Sequence, residues 1–192
     1  MAEPLVKKEY YTKEEYLERE ASSEYKSEYY QNEIFAMAGG SPEHSIICFN
    51  LIGELREAVR NKDCTGFESN MKLELADADV YVYPDIMVVC GEIQLAENTR
   101  DVITNPLLIV EVLSPGTESF DRGRKFEYYQ RLLSLKEYVL VSQEKPIVES
   151  YFRQDEDTWL YTVVKRTDKA VLFKSLEYKI AMKDIYHKIR FI

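Results

Sequence analysis

The chain has 192 residues, 45% of them hydrophobic and 12% aromatic, the composition of a packed globular protein and not of a disordered one. Its 34 acidic side chains outnumber its 25 basic ones, and the net charge of −9 argues against unspecific coating of nucleic acid while leaving room for a local basic groove. No apolar run approaches the roughly 18 residues of a membrane helix, which excludes a helical span, and one domain covering 1–192 is the expectation at this length.

Thr12 followed by Glu15 is a capping-box pattern that opens a helix over YLEREA. The Tyr-rich stretch SEYYQNEIFAMAGG predicts a hairpin turning at Gln31-Asn32 and ending at Gly39-Gly40. Ser41-Pro42 then starts a second helix, with Ser as N-cap and Pro at the first helical position. Ile47, Leu51, Leu55 and Val59 give that helix one apolar face. Strands follow at CTGF, MKLEL, YVYPDIMVV (81–89) and LLIVEVL (107–113), with Asp77-Ala78-Asp79 as a turn and a polar stretch, 91–105, before the last. SPGT breaks the fourth of these, and FDRGRKFEYYQRLLS predicts a helix. Further strands are expected at 137–142, 148–153, 159–164 and 171–173, with a short closing helix over 181–189. The pattern is α+β, a mixed or antiparallel sheet flanked by helices, and lacks regular βαβ alternation.

The available chemistry is narrow. There are two histidines, His44 and His187, and no GxSxG, P-loop or GxGxxG, which leaves carboxylates and lysines as the plentiful reactive groups. Cys48, Cys64 and Cys90 have no ligand-like spacing, and their odd number fits a reducing, cytoplasmic setting; Cys90 reads as a small core residue. The first ten residues, MAEPLVKKEY, lack the apolar stretch of a secretory leader.

Glu111 lies inside six apolar residues of a strand that reads as buried on both faces. A lone buried carboxylate is costly, so it is paired, protonated or bound to a metal. Asp85 follows Pro84 at a kink in another apolar strand, 26 residues earlier. If the two strands are neighbours, both carboxylates meet with their oxygens within about 6 Å, and such a pair suits a hard divalent cation. Asp121 and Lys125, spaced i, i+4, make a favourable helix pair that is either a surface feature or, beside Tyr128 and Tyr129, turned inward.

The runs PD at 84–85 and EVLSPGTESFDRGRKFEYY at 111–129 resemble the Uma-two family of restriction-endonuclease-like proteins, within the PD-(D/E)XK nuclease superfamily. YTKEEYLERE, YQNEIFAMAGGSPEHSIICFNL, YPDIMVVCG, NPLLIVEVLSPGT and SLKEYVLVSQ extend the likeness over most of the chain. The resemblance implies a restriction-endonuclease-like core and a magnesium- or manganese-dependent endonuclease. Asp85 and Glu111 would be metal ligands, and a lysine would stand near the attacking water. The motif lysine would fall at position 113, which is Leu113, so Lys125 is the expected replacement and Lys72 the second candidate. Asp121 would steady Lys125, and His44, in the first turn of the second helix, is a supporting candidate. DNA is the expected partner, with Lys72, Arg122, Arg124, Lys125 and Arg131 gathered around the site; no membrane is expected, and a homodimer stays open. The alternatives are a catalytically silent DNA-binding or interaction module of the same fold, and a metal-dependent phosphoesterase on a non-nucleic-acid substrate.

Overall fold

The computed structural model describes residues 10–37 and 39–191. The expected lack of a leader falls on residues 1–9 and lies outside the described residues. Helix α1 (Lys13–Ser22) begins with the capping box: Thr12 Oγ1 accepts from Glu15 N while the Glu15 carboxylate accepts from Thr12 N. Strands β1 (Ser27–Tyr30) and β2 (Glu33–Ala36) form the hairpin, and Gln31 and Asn32 both have positive φ, 48° and 77°, as a two-residue hairpin turn demands. Helix α2 (Pro42–Val59) is capped by Ser41 Oγ, which accepts from His44 N, and buries Ile47, Leu51 and Leu55. Among the described residues no helix is long and apolar enough to cross a membrane.

Strands β3 (Cys64–Glu68), β6 (Ile86–Cys90), β8 (Leu108–Leu113), β9 (Glu137–Ser142), β10 (Val148–Arg153) and β11 (Trp159–Val164) build the main sheet in the order β11-β10-β9-β8-β6-β3. Only β8–β9 is parallel in it. A second sheet, β2-β1-β5-β4-β7, adds β4 (Lys72–Leu75), β5 (Val80–Val82) and β7 (Val102–Ile103). A separate hairpin joins β12 (Ala170–Phe173) to β13 (Tyr178–Ala181), and a single turn, α5 (Met182–Ile185), follows it. The period-2 alternation of the central strands sorts the core into two layers. Val110 and Val112 of β8 pack with α2 and the β12–β13 hairpin, whereas Ile109 and Leu113 face the second sheet and Tyr128 and Tyr129.

The structure corrects several expectations. YVYPDIMVV is not one kinked strand: Pro84-Asp85 separates β5 in the second sheet from β6 in the main one, because Pro84 has no N–H to continue a ladder. The helix after SPGT is irregular. It runs as α3 (Glu118–Phe120), a π turn over Asp121–Lys125 and α4 (Phe126–Tyr129), stopping short of Ser134. The closing helix is only α5, since its first residue, Ala181, completes β13. Strand β7, hidden in a polar stretch, was not foreseen. Cys64 and Cys90 stand opposite each other across β3 and β6 and are joined as a disulfide, so Cys90 is not a free core thiol.

Glu137 ties the main sheet to the C-terminal hairpin. It is fully buried, with Oε1 accepting from Ser150 Oγ (2.8 Å) and Oε2 from Ser175 N (2.9 Å) and Ser175 Oγ (2.8 Å). Replacing it with Leu strands those donors, and we expect a loss of about 2–4 kcal/mol in urea unfolding. Glu137→Gln keeps an acceptor and costs less.

Candidate functional site

The split between the two sheets at Pro84-Asp85 creates the site. The β6–β8 register pairs Ile86 with Val110, so Asp85 stands next in line opposite Glu111. Asp85 has left the ladder, and its side chain takes over an acceptor's place: Asp85 Oδ2 accepts from Val112 N at 2.8 Å, while Glu111 Oε2 accepts from Asp85 N at 3.3 Å. The two acids are thus interlocked through each other's strand.

Glu111 is 4% exposed and faces the π turn and α4, and its Oε1 accepts from Tyr129 OH at 2.8 Å and from Lys125 Nζ at 2.9 Å. Lys125 Nζ also lies 3.5 Å from Glu28 Oε1 and 3.6 Å from Asp121 Oδ1. The inward reading of the Asp121–Lys125 pair is therefore the one the structure adopts, and both residues are buried. The π turn that carries them is a device common where side chains must be aimed at a site. Burial pushes the Glu111 carboxyl up to about 8, even though Lys125 pulls it back. Burial by itself would lower Lys125, but Glu111 and Glu28 together hold its ammonium well above the ordinary value. Burial also raises Asp121, again opposed by Lys125.

His44, at the start of α2, reaches Asp85 Oδ2 with Nε2 at 3.2 Å and meets Cys48 Sγ with Nδ1 at 3.6 Å. The hydrogen bond to Asp85 raises His44 above its usual value, against the opposing effect of burial. Burial holds the Cys48 thiol up, in its protonated form. One ligand atom from each of His44, Cys48 and Asp85 lies within 4.8 Å of the others, close enough for a metal to collect them.

Lys72 is not brought to this cluster. Its ammonium pairs with Asp101 and lies over the Tyr83 ring, 5.5 Å from the centroid. Arg122 is taken by Glu118 and Glu149, and Arg131 donates to Asp77 O, so of the five expected cations only Arg124 and Lys125 line the cleft. The cleft, about 1320 Å³, holds seven carboxylates among its lining residues but only Lys26, Arg124 and Lys125 as basic partners. It is acidic where a basic groove was expected. Glu28 is the functional candidate that sequence reasoning missed. It shares a face of β1 with the buried Tyr30, whose hydroxyl donates to Glu28 Oε2 at 2.7 Å, and its Oε1 accepts from Tyr83 N at 3.1 Å. Strand alternation places it on that face, but a glutamate between tyrosines in a short hairpin reads as solvated.

Residues 13–183 match a family described as Uma2, "Putative restriction endonuclease". The chain belongs to the Uma2 family. Two Synechocystis sp. proteins are similar: uncharacterized protein sll1609, 36% identical over 86% of this chain and 94% of its own length, and uncharacterized protein slr1290, 35% identical over 93% and 92%. A crystal structure described as a "putative nuclease belonging to DUF820" from Anabaena variabilis superposes with a TM-score of 0.75, covering 92% of this chain and 97% of that one at 20% identity. The Uma2 chain thus has a restriction-endonuclease-like α+β fold, with mixed sheets flanked by helices.

The burial of Lys125 changes what its loss should do. An Asp121–Lys125 pair on the surface would be worth only a few tenths of a kcal/mol, but here Lys125→Ala leaves Glu28, Glu111 and Asp121 facing one another without their cation. We expect a loss of about 3–5 kcal/mol in chemical denaturation, partly recovered in Lys125→Ala/Glu111→Gln. Because His44 is raised in the folded state, its contribution is full below its unfolded value, near 6.5, and is lost as pH rises through the folded one. The stability difference between wild type and His44→Gln should therefore shrink with rising pH across that window.

Proposed function

We propose that this Uma2 protein is a magnesium- or manganese-dependent endonuclease that hydrolyses DNA phosphodiester bonds. The observation that carries the reading is the interlocked pair Asp85–Glu111, lining an acidic cleft, with the Lys125 ammonium 2.9 Å from Glu111. Hard oxygen donors gathered in excess over cations suit a divalent ion, so the residues present fit the group that the family resemblance implies. Asp85 and Glu111 would hold it, with His44 at the edge of the set. When bound, such an ion lowers the pKa of water and offsets charge on a phosphoryl group.

The side chains divide the remaining work. Water attacks phosphorus and a P–O ester bond breaks. Lys125, held protonated by Glu111 and Glu28, cannot be the base at neutral pH; it donates hydrogen bonds to the nucleophile or to the developing oxyanion. Asp121 keeps the ammonium in position, and His44 fixes the Asp85 carboxylate. Arg124, on the cleft wall, is the group placed to meet phosphates of the strand, while Lys26 beside it already donates to Ser69 O and Asn70 Oδ1.

Plasmid cleavage with magnesium or manganese, beside calorimetric titration of the metal, tests this. Asp85→Asn and Glu111→Gln should each lower turnover on the order of 10²–10³-fold and weaken metal binding. Two features favour a second reading, a silent module that binds without turnover: Leu113 is buried at the motif position and Lys125 is already enclosed by three carboxylates. That reading expects metal-dependent DNA binding with no cleavage, whereas a chain that binds no metal would sink both.

A further inference from the structure

Strand β11, at one edge of the main sheet, carries none of the devices that normally keep an edge from pairing. WLYTVV has no charge, proline or glycine, while β2 and β3, at other edges, carry Glu33 and Glu68. Leu160 (38%), Tyr161 (47%) and Val163 (38%) are exposed, so apolar side chains on both faces of the strand meet solvent.

The ladder shows which backbone groups are unused. Gln154 N donates to Thr158 O, and the β10–β11 register continues with Phe152 opposite Leu160, Ser150 opposite Thr162 and Val148 opposite Val164. Hydrogen-bonded pairs alternate in an antiparallel ladder, so the even-numbered residues of β11 bond to β10. Trp159, Tyr161 and Val163 therefore point their N–H and C=O groups outward.

The charges flanking the strand select a partner. Glu156 and Asp157 precede it and Lys165 and Arg166 follow it, all exposed. Antiparallel pairing with a second copy about a two-fold axis at Tyr161 sets Tyr161 opposite its own symmetry mate and Trp159 opposite Val163. The same register sets Asp157 opposite Lys165 and Glu156 opposite Arg166, although Arg166 must then share itself with Asp168 of its own chain. A two-residue slip one way keeps an acid, Asp155, opposite Lys165 but sets Arg166 opposite Gln154, and a slip the other way sets Lys165 opposite Trp159, so only this register gives both cations an acid; parallel pairing would oppose acid to acid. We propose that β11 is the dimerisation edge of this protein, joining two main sheets antiparallel through a second copy of the chain. About six main-chain hydrogen bonds and apolar cross-strand pairs would hold it. The proposal does not depend on the nuclease reading.

Sedimentation of the full chain from about 1 to about 100 µM should show a monomer–dimer equilibrium, a range that brackets ordinary micromolar association. Trp159, the only tryptophan, should change its emission over the same range. Tyr161→Pro removes an N–H that β10 does not use, so circular dichroism should stay native while the dimer is lost. Lys165→Glu should weaken dimerisation about tenfold or more, and Asp157→Lys/Lys165→Glu should restore it. A chain that stays monomeric throughout, or a dimer unmoved by Tyr161→Pro, overturns the proposal. Failure of the charge swap to restore association overturns the register.

Discussion

One buried ammonium organises the site. Lys125 stands among Glu28, Glu111 and Asp121, which come from the hairpin strand β1, the central strand β8 and the π turn. Removing these charges from water is expensive, and the arrangement is tolerable only because each acid has the cation or a hydrogen-bond donor at hand. The constraint reaches both layers of the fold. The second sheet must approach the main sheet closely enough for Glu28 to arrive, and the π turn presents Asp121 and Lys125 on its inward side. The core aromatic groups Tyr30, Tyr128 and Tyr129 then fill the space around a charge that would otherwise be unprotected.

Much of this was legible from local signals. The Thr12–Glu15 box, the Ser41-Pro42 helix start and the Gln31-Asn32 turn depend on neighbours in sequence, and they hold as read. Glu111 stood out because six apolar neighbours leave a carboxylate no route to water. Other features depended on partners distant in sequence. Nothing local distinguishes a kink at Pro84 from a passage between sheets. Cys64 and Cys90 become partners only through the β3–β6 register. Glu28 looks like any exposed hairpin acid until Lys125 is folded against it, and Val102–Ile103 is too short a run to show a period.

The acidity of the cleft revises the expected electrostatics. A basic groove draws in a polyanion by itself, and its affinity falls steeply with salt. Here Lys72 and Arg122 are engaged by acids outside the cleft, Arg131 is held by the Asp77 carbonyl, and the acids that line the cleft outnumber its cations. Under the proposed function, approach of a phosphate substrate and occupancy by a cation would be coupled through ordinary Coulomb terms. The net charge of −9 is expressed at the site itself as well as over the surface.

Asp85 holds two posts at once. Its carboxylate lines the cleft, and it also accepts the Val112 N–H where the backbone of β6 has turned away. A shorter or apolar side chain there would uncap the end of the central strand, whatever became of activity. The position is thus protected by architecture: a relative without hydrolytic activity would still need an acceptor at this point to keep its sheet intact. Finding the acid in such a chain testifies to the integrity of a strand end before it testifies to an enzyme.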